Sequence, residues 1–283
     1  MKPAIIVISS HVVRGTVGNR AAAFALEVMG FPVWCLPTIV LPWHPGHGPA
    51  TRQVAPDETF GQMIDDLIAS PWLSEVGAVL SGYLASVEQV SAVGKLVDAV
   101  KRRNPAATYT LDPVLGDNGS LYIPEAIANA IRTKLVKHAD LTTPNCFELS
   151  WLTGSRSLDS KKDIHRAALS LGVPKVLTTS VPMGESGSSG NLLVSKDLTV
   201  GVGHPCFDKA PNGLGDLTSA LITGHLMEGL SPSIALLNTT QSVFDVVDDA
   251  TTRGSNELAL ENMTEALRSP SGNLRLSYVT PEV

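Results

Sequence analysis

The sequence predicts an α/β protein in which a mostly parallel central sheet is covered by helices on both faces. Two observations lead to this fold class. Short runs of β-branched residues alternate along the chain with longer segments of helical periodicity, and this alternation is typical of βαβ units. The strand runs are apolar almost throughout, as expected where both faces of a parallel sheet are buried.

The first half of the chain contains four predicted strands and two predicted helices. The strands are expected at residues 5–8, 31–40, 76–80 and 108–111. The helices are expected at residues 19–29 and 87–103. Gly30 ends the first helix, because glycine readily adopts the left-handed conformation that follows a last helical turn. Pro105 ends the second, because the residue before a proline avoids the helical conformation.

The second half continues the alternation with less regular stretches. Strands are expected at residues 139–142 and 175–178, and an apolar helix is expected at residues 217–227. Residues 41–56 resemble a surface loop. No repeat or linker divides the chain, so residues 1–268 are expected to form one domain without a large lid. Residues 269–283 are expected to form a polar, partly irregular tail.

Composition and charge exclude several classes of protein. Hydrophobic residues make up 43% of the 283 positions and charged residues 17%, which excludes intrinsic disorder. The net charge is −6, whereas nucleic-acid binders usually carry a basic excess, so we expect no nucleic-acid partner. No apolar run reaches the roughly 18 residues of a membrane span. We therefore expect no membrane partner.

The cysteines and the start of the chain favour a cytoplasmic protein. Cys35, Cys146 and Cys206 are widely spaced and form neither a disulfide framework nor a C-x-x-C pair. Free cysteines are typical of a reducing cytosol. Residues 4–8 are the one short apolar run near the start, and no small-residue cleavage pattern follows them, so we expect no signal peptide.

Polar residues follow five of the predicted strands. These strand ends carry Ser10, Tyr83, Asp112, Asn145 and Thr179. The carboxyl ends of parallel strands lie at one edge of the sheet, where α/β proteins bind ligands. The five side chains are therefore expected at one site. Each residue alone has a simpler interpretation as a turn former or helix cap.

The segment 212–216 (NGLGD) carries the clearest chemistry. Glycines before a helix leave backbone N–H groups free to bind an anion. Asp216 would repel an anion, unless it accepts the proton of an attacking hydroxyl while the adjacent amides stabilise a transferred phosphoryl group. The alternative is an Asp that caps the helix after a glycine turn. The chain has no P-loop motif, and residues 15–18 lack the full G-x-G-x-x-G spacing of a dinucleotide loop.

Five segments in order resemble the pyridoxal kinases. They are residues 10–22 (SHVVRGTVGNRAA), 80–84 (LSGYL), 112–117 (DPVLGD), 143–148 (TPNCFE) and 213–216 (GLGD). The last segment identifies only the ribokinase-like superfamily, whereas the first and third are similar to pyridoxal kinases specifically. The resemblance extends from about residue 4 to residue 230. It implies a three-layer α/β/α sandwich.

The resemblance also implies an activity, which is ATP-dependent phosphorylation of the 5′-hydroxymethyl group of a B6 vitamer in vitamin B6 salvage. It implies Mg²⁺, often a monovalent cation such as K⁺, and a homodimer. Asp216 would be the catalytic base, and the amides of Gly213, Leu214 and Gly215 would form the anion hole. Ser10 would hydrogen-bond the pyridine ring.

Further site residues follow from the same resemblance. Tyr83 would line the ring pocket. Asp112, Asn145 and Glu148 would organise Mg²⁺, mostly through water. The residues expected to contact ATP are Asp112, Asp117, Tyr122, Thr143, Asn145, Glu148, Thr179, Ser180 and Asn212.

One segment departs from the family. Members typically carry Asn-His-Thr in the loop after the second strand, and this chain has residues 43–48 (WHPGHG). Pro45 removes a hydroxyl and a backbone donor. Trp43 could stack on the substrate ring with His44 beside it, or Trp43 could pack on the core edge while His44 caps the loop. A zinc site at His44 and His47 is not expected, because no third soft ligand is nearby. The departure puts the preferred vitamer in question.

Three alternatives remain open. A hydroxymethylpyrimidine kinase has the same fold and a similar target group. A ribokinase-type sugar kinase usually carries a β-lid that this sequence does not show. A non-catalytic vitamer-binding protein belongs to another class, and the presence of Asp216 with its glycines argues against it.

Overall fold

The computed structural model describes residues 2–117, 119–155, 158–183, 187–207, 209–270 and 272–278. Its strands are β1 (Ala4–Val12), β2 (Val33–Leu41), β3 (Gln53–Val54), β4 (Val76–Ser81), β5 (Thr108–Leu111), β6 (Gly116–Asp117), β7 (Ser120–Leu121), β8 (Leu141–Thr142), β9 (Lys175–Pro182), β10 (Ser188–Val194), β11 (Thr199–Pro205) and β12 (Leu276–Tyr278). Its α-helices are α1 (Asn19–Val28), α2 (Asp57–Ala69), α3 (Val87–Arg103), α4 (Glu125–Ala130), α5 (Cys146–Thr153), α6 (Lys161–Ser170), α7 (Leu214–Met227), α8 (Pro232–Thr252) and α9 (Thr264–Arg268).

A ten-stranded sheet runs through the described part of the molecule in the order β12-β11-β10-β9-β8-β5-β4-β1-β2-β3. The six central strands from β9 to β2 are mutually parallel. Both edges are antiparallel, with β3 at one and β10 to β12 at the other. The prediction of a mostly parallel sheet is therefore confirmed.

Side chains of the central strands alternate between two helical layers. Ile6 and Ile8 of β1 pack with α2 to α6 on one face. Ile5 and Val7 pack with α1, α7, α8 and α9 on the other. Because successive strand residues point to opposite faces, one apolar strand supplies both cores. The three-layer architecture follows from this alternation.

Several elements differ from the sequence-based expectations. The helix expected from residue 217 begins at Leu214, so the glycine-rich motif forms its first turn. The loop at 41–56 contains the short strand β3, which pairs with Ile39 and Val40. The polar tail is not wholly irregular, because Leu276–Tyr278 pairs with β11; residues 279–283 of that tail lie outside the described residues. No helix in the described ranges is long and apolar enough to cross a membrane.

His225 of α7 gives the fold a pH-dependent stability. Its side chain is 1% exposed, and neither ring nitrogen has a hydrogen-bond partner among the described residues. Burial lowers its pKa below the usual 6.5; the nearby Glu228 carboxylate partly opposes this and Lys2 adds to it. The folded state therefore binds a proton less readily than the unfolded chain. The contribution of the neutral His225 ring to the free energy of unfolding is therefore fully present above pH 6.5. It is lost as the pH falls below that value.

We expect the free energy of unfolding to fall between pH 7.5 and pH 5.5 by at most about 1.4 kcal/mol per pH unit from this residue. His225→Leu removes the titrating ring and should flatten the pH dependence. Urea unfolding of both proteins at the two pH values measures the difference. An equally steep fall in the variant would show that other groups cause the acid sensitivity.

Candidate active site

The carboxyl ends of the parallel strands and the start of α7 enclose one cleft of about 700 Å³. All five predicted strand-end residues line it. The ends meet because β1, β4, β5, β8 and β9 are parallel neighbours, and a β-bridge joins Asn145 to Thr179 beyond the last two. The five side chains therefore lie together at one edge of the sheet, and their roles stay predictions.

Most of the other predicted residues also line the cleft. These are His44, Asp117, Tyr122, Thr143, Glu148, Asn212, Gly213, Gly215 and Asp216. Three predicted residues do not line the cleft: Leu214, Trp43 and Ser180. Leu214 was expected to contribute only its backbone amide, which the helix start presents. Ser180 is exposed and has a left-handed φ of 57° where β9 pairs irregularly with β10.

The start of α7 presents unpaired backbone donors to the cleft. The helix has Gly213 as its N-cap, and Leu217 donates its N–H to Gly213 O at 3.0 Å. The N–H groups of the N-cap Gly213 and of the first three helical residues, Leu214, Gly215 and Asp216, therefore have no intrahelical acceptor. Such groups, aligned with the positive end of the helix dipole, form an anion site.

Two features require a glycine at position 213: its backbone has a positive φ, and a neighbouring backbone atom leaves no room for a side chain. Its φ is +94°, and a Cβ at this position would lie 2.2 Å from the carbonyl oxygen of Thr16. Thr16 is itself held, because its hydroxyl donates to Leu258 O at 2.8 Å. The turn before α7 therefore packs directly on the loop between β1 and α1.

Asp216 is oriented by that same loop. The backbone N–H of Gly18 donates to its carboxylate. Burial nevertheless raises the pKa of Asp216 to about 6, since the Gly18 hydrogen bond only partly offsets the desolvation. A carboxylate with a pKa near neutrality is well matched to accept a proton at physiological pH.

Asp112 is a buried carboxyl behind the site. Ser219 of α7 lies 2.6 Å from Asp112 Oδ2, and the N–H of Val114 donates to the same carboxyl. Val114 has a φ of +44°, a strained value for a β-branched residue that is typical of functional turns. Desolvation, followed by the charges of Glu148 and Asp216, raises the pKa of Asp112 well above its ordinary value.

Glu148 and Asn145 form a capping box at the start of α5. Asn145 accepts from the Glu148 N–H at 2.9 Å, and Glu148 Oε2 accepts from the Asn145 N–H at 2.9 Å. Glu148 Oε1 accepts from the Leu115 N–H at 2.7 Å. Burial raises the pKa of Glu148 to about 7 despite these bonds. The carboxyl thus joins α5 to the turn after β5 while facing the cleft.

The end of the cleft away from the carboxyl groups of Asp112 and Glu148 is more apolar. Val17, Ile39 and Leu41 line it and pack against the ring of Tyr83. Arg52 also lines this end, and its Nη2 donates to Tyr83 Oη at 2.9 Å. The cleft therefore has an apolar half suited to a flat ring and a half rich in carboxyl, hydroxyl and amide groups.

In the loop at residues 43–48, His44 caps the loop as in the second expected arrangement, whereas packing of Trp43 on the core edge stays a prediction. The Trp43 indole N–H donates to Gly48 O at 3.2 Å, and Trp43 does not line the cleft. His44 Nδ1 accepts from the Gly46 N–H at 3.1 Å, so it caps the loop while lining the cleft. A Cβ on Gly46 would lie 3.3 Å from the Asn212 amide, so the loop closes on the segment before Gly213.

Glu257 anchors this loop from a distant part of the chain. Its Oε1 lies 2.9 Å from Arg14 Nη1 and 3.0 Å from His47 Nε2. The Arg14 contact is a hydrogen bond, whereas the His47 nitrogen lacks hydrogen-bond geometry. A Cβ on Gly15 would lie 2.7 Å from Glu257 Oε2. One carboxylate therefore joins the two loops that flank the apolar half.

Replacing Glu257 with Gln is expected to raise the KM of a substrate that occupies the apolar half about fivefold, with little change in the KM of a substrate that occupies the acidic half. The substitution keeps the shape but removes the charge, which costs about 1 kcal/mol at a partly exposed ion pair. Initial-rate kinetics measure both constants. Glu261→Gln is the matched control, since Glu261 is exposed and lies four residues away. An equal effect of the two variants would remove Glu257 from this role.

Several residues that line the cleft or support its walls were not found from the sequence. Arg52 lies in a loop without any motif, and Ser219 is a serine within an apolar helix. Glu257 is separated from Arg14 by 243 positions. Val17 and Gly18 lie in the N-terminal segment, residues 10–22, that carries the family resemblance. The sequence assigned neither residue a role in the site.

The acidic half of the cleft has the donor chemistry of a hard cation site. Asp112, Glu148 and Asp216 lie close enough for the charges of the latter two to raise the pKa of Asp112. Among the described residues that line the cleft, Arg52 is the one Lys or Arg, and it pairs with Tyr83 at the other half. The described side chains include no cluster of three ligands already arranged around a metal. Carboxylate oxygens suit Mg²⁺, which keeps several waters.

The chain is similar to known proteins over nearly its whole length. A family model described as phosphomethylpyrimidine kinase matches residues 53–260. Pyridoxal kinase PdxY of Leifsonia xyli is 36% identical over 282 residues, covering 97% of this chain and 99% of that protein. PdxY of Corynebacterium diphtheriae is 34% identical over 271 residues, covering 94% and 96%.

A solved structure has the same architecture. Pyridoxal kinase from Leishmania donovani, in complex with ADP and pyridoxine, superposes with a TM-score of 0.90 at 26% identity. The match covers 98% of this chain and 99% of that chain.

Proposed function

The chain belongs to the pyridoxal kinase family, and we propose that it transfers the γ-phosphoryl group of ATP to the 5′-hydroxymethyl group of a B6 vitamer. The observation that supports this most is the position of Asp216. Its carboxylate stands beside the free N–H groups of α7, between the apolar half and the acidic half of one cleft. A proton acceptor and an anion site are thereby next to each other.

In the proposed reaction, Asp216 accepts the proton of the hydroxymethyl group. The hydroxyl oxygen forms a bond to the γ-phosphorus, and the bond between that phosphorus and the β–γ bridging oxygen breaks to release ADP. The N–H groups at residues 213–216, which include those of Gly213, Leu214 and Gly215, stabilise the negative charge on the transferred phosphoryl group. Positioning and charge neutralisation supply most of the catalysis in phosphoryl transfer.

We propose that Asp112, Asn145 and Glu148 hold the cation shell around the phosphates. Mg²⁺ bound there would neutralise charge on the transferred group. Burial chiefly raises the pKa of Asp112, and the charges of Glu148 and Asp216 raise it further. That second, electrostatic effect supports the proposal, because neighbouring carboxyls without a counter-charge attract a cation. We assign phosphate contacts to the hydroxyls of Thr143, Thr179 and Ser180.

The ring half is assigned to Ser10 and Tyr83, with the apolar side chains that pack on Tyr83. His44 lines the same region. Asp117, Tyr122 and Asn212 also line the cleft, and we assign them to ATP. We further propose a monovalent cation such as K⁺, a homodimer and a cytoplasmic location, each of which membership of the family supports.

A hydroxymethylpyrimidine kinase is the second candidate, because the matching family model is described by a pyrimidine substrate. Initial rates of ADP formation with Mg²⁺ and K⁺ separate the two candidates. Pyridoxal, pyridoxine, pyridoxamine and hydroxymethylpyrimidine are compared, with Asp216→Asn as the blank. The proposal predicts a higher kcat/KM for at least one B6 vitamer than for the pyrimidine. A clear preference for the pyrimidine would overturn it.

A further inference from the structure

A small chamber of about 10 Å³ adjoins the cleft beside Asp216. Val7 and Leu80 of the sheet form one wall, and Ala22 of α1 forms part of the other. Asp112 and Asp216 line the chamber as well as the cleft. The volume is at the lower limit for one water molecule, and a buried water also needs two to four polar partners. A chamber of this size therefore holds water only if its walls supply such partners.

Ser9 supplies one partner, a hydrogen-bond donor. Its side chain is buried, and its Oγ accepts the Tyr83 N–H at 3.2 Å. No hydrogen bond in the described part of the chain takes up its own hydroxyl proton. Ser9 lines the chamber but not the cleft, so a substrate in the cleft is not in position to accept that proton. Since a buried donor without an acceptor is unfavourable, the hydroxyl needs an acceptor inside the chamber.

The Asp216 carboxylate borders the same small space. A Cβ on Gly82 would lie 2.6 Å from Ser9 Oγ and 3.7 Å from Asp216 Oδ1, so the two oxygens flank one point. No direct hydrogen bond joins them among the described residues, and Asp216 accepts instead from the Gly18 N–H. A water between the two oxygens accepts from the hydroxyl and donates to the carboxylate.

The other polar side chains of the chamber complete this arrangement. Ser219 Oγ lies 2.6 Å from both Asp112 Oδ2 and Gly215 O. It also accepts from the Thr143 hydroxyl at 3.2 Å. Because a hydroxyl has one proton, that of Ser219 is already committed. Asp112 is a second acceptor on the wall. A water in the chamber thus has three partners, the donor Ser9 and two carboxyl groups, which is the usual number.

We propose that the chamber binds one water molecule, which accepts the Ser9 O–H and donates to Asp216, and that Ser9 is thereby a positioning residue for the base. This inference rests on the proposed function and adds a residue to its machinery. The water and the Gly18 N–H together restrain rotation of the carboxyl group, so its accepting oxygen keeps one direction. Correct orientation of a reacting group lowers the reaction barrier without adding a contact to either substrate. The effect therefore falls on kcat and not on KM.

Two variants remove the water in different ways. Ser9→Ala deletes its donor. Gly82→Ala fills the chamber with a methyl group, and Gly82 has no left-handed φ that would strain an alanine. We expect each to lower kcat about fivefold, the effect of one lost hydrogen bond, with the KM for vitamer and for ATP unchanged. The double variant should lose no more than either single variant, because both remove the same water.

Ser242→Ala is the matched control for Ser9→Ala. Ser242 is equally buried, its hydroxyl donates to Ala266 O at 2.6 Å, and it lines neither the cleft nor the chamber. This variant should keep the wild-type kcat. A loss equal to that of Ser9→Ala would show that deleting any buried hydroxyl slows the enzyme, and would overturn the inference.

The Asp216→Asn background separates a positioning role from a merely structural one. The base is absent there, so adding Ser9→Ala should leave the single-turnover rate unchanged. A further loss would show that Ser9 acts through the fold and not through Asp216. A raised KM for the vitamer with an unchanged kcat would also overturn the inference, because Ser9 would then act on the ring half through Tyr83.

A crystal structure of the wild-type protein tests the water without relying on activity. An ordered water within hydrogen-bond distance of Ser9 Oγ and the Asp216 carboxylate is expected, and it should be missing in Gly82→Ala. A wild-type chamber without such density would overturn the inference and leave the proposed function standing. Absence of turnover with every B6 vitamer would overturn the proposed function and the role of Ser9 with it, whatever the density shows. The two failures are therefore distinguishable.

Discussion

Asp216→Asn is expected to lower kcat by about 10²–10⁴-fold, the range typical of losing a general base. Asparagine has the same shape and can still accept the Gly18 N–H bond through its amide oxygen, so the cleft should remain intact. It cannot take up the proton of the hydroxymethyl group. Nucleotide binding should therefore change little, and calorimetric titration with ADP measures it alongside the steady-state rate.

The pH profile gives an independent check on this assignment. Because burial raises the pKa of Asp216 to about 6, the base is protonated and inactive below that pH. The wild-type kcat/KM is expected to decline as the pH drops through about 6, since kcat/KM reports groups of the free enzyme. Near-normal turnover in Asp216→Asn would remove the residue from its role, whatever the shape of the profile.

Gly213→Ala should lower kcat by about 10²–10³-fold, as when a donor is removed from an anion hole. The new Cβ would lie 2.2 Å from Thr16 O, and the bond from Thr16 to Leu258 holds that loop in place. The start of α7 must therefore move, and the N–H groups of residues 214–216 move with it. Steady-state kinetics with saturating vitamer and ATP measure the loss.

Gly229→Ala is the matched control for this substitution. Gly229 follows the other end of α7, also has a positive φ of +83°, and a Cβ there meets nothing within 4 Å. Both variants bear the cost of a left-handed alanine, about 1–2 kcal/mol. Only Gly213→Ala should lose turnover at a temperature where both are folded. Wild-type kcat in folded Gly213→Ala would show that the helix start does not bind the transferred group.

The polar strand ends show what a single sequence can predict about this site. Ser10, Tyr83, Asp112, Asn145 and Thr179 were grouped because each follows an apolar run, and parallel strands bring such positions to one edge. The strand pattern and the rule for parallel sheets are enough to group them. The central strands are buried on both faces, so their runs of apolar residues are easy to recognise in the sequence.

Other parts of the site depend on contacts that no local pattern records. Glu257 meets Arg14 only after α7 and α8 have packed beside α1. Ser219 reaches Asp112 because one helical turn happens to face β5. Arg52 is placed by the short strand β3, which lies within a segment that has the composition of a loop. These residues could be located only after the chain was folded.

The fold itself was predicted best where helices and strands alternate. The antiparallel strands β10 and β11 were missed, because the glycine and serine residues in and around them weaken the strand pattern. The first turn of α7 was missed because its glycines have low helix propensity. In both places tertiary packing outweighs the local preference of the chain.

The central claim is that this cleft transfers phosphate from ATP to the hydroxymethyl oxygen of a B6 vitamer. The most direct test is ³¹P NMR of the products formed from pyridoxal and ATP by the wild-type protein in Mg²⁺ and K⁺. We expect ADP and pyridoxal 5′-phosphate in equal amounts, with neither accumulating in Asp216→Asn. ADP accompanied only by inorganic phosphate would contradict it, because the γ-phosphoryl group would then pass to water and not to the vitamer.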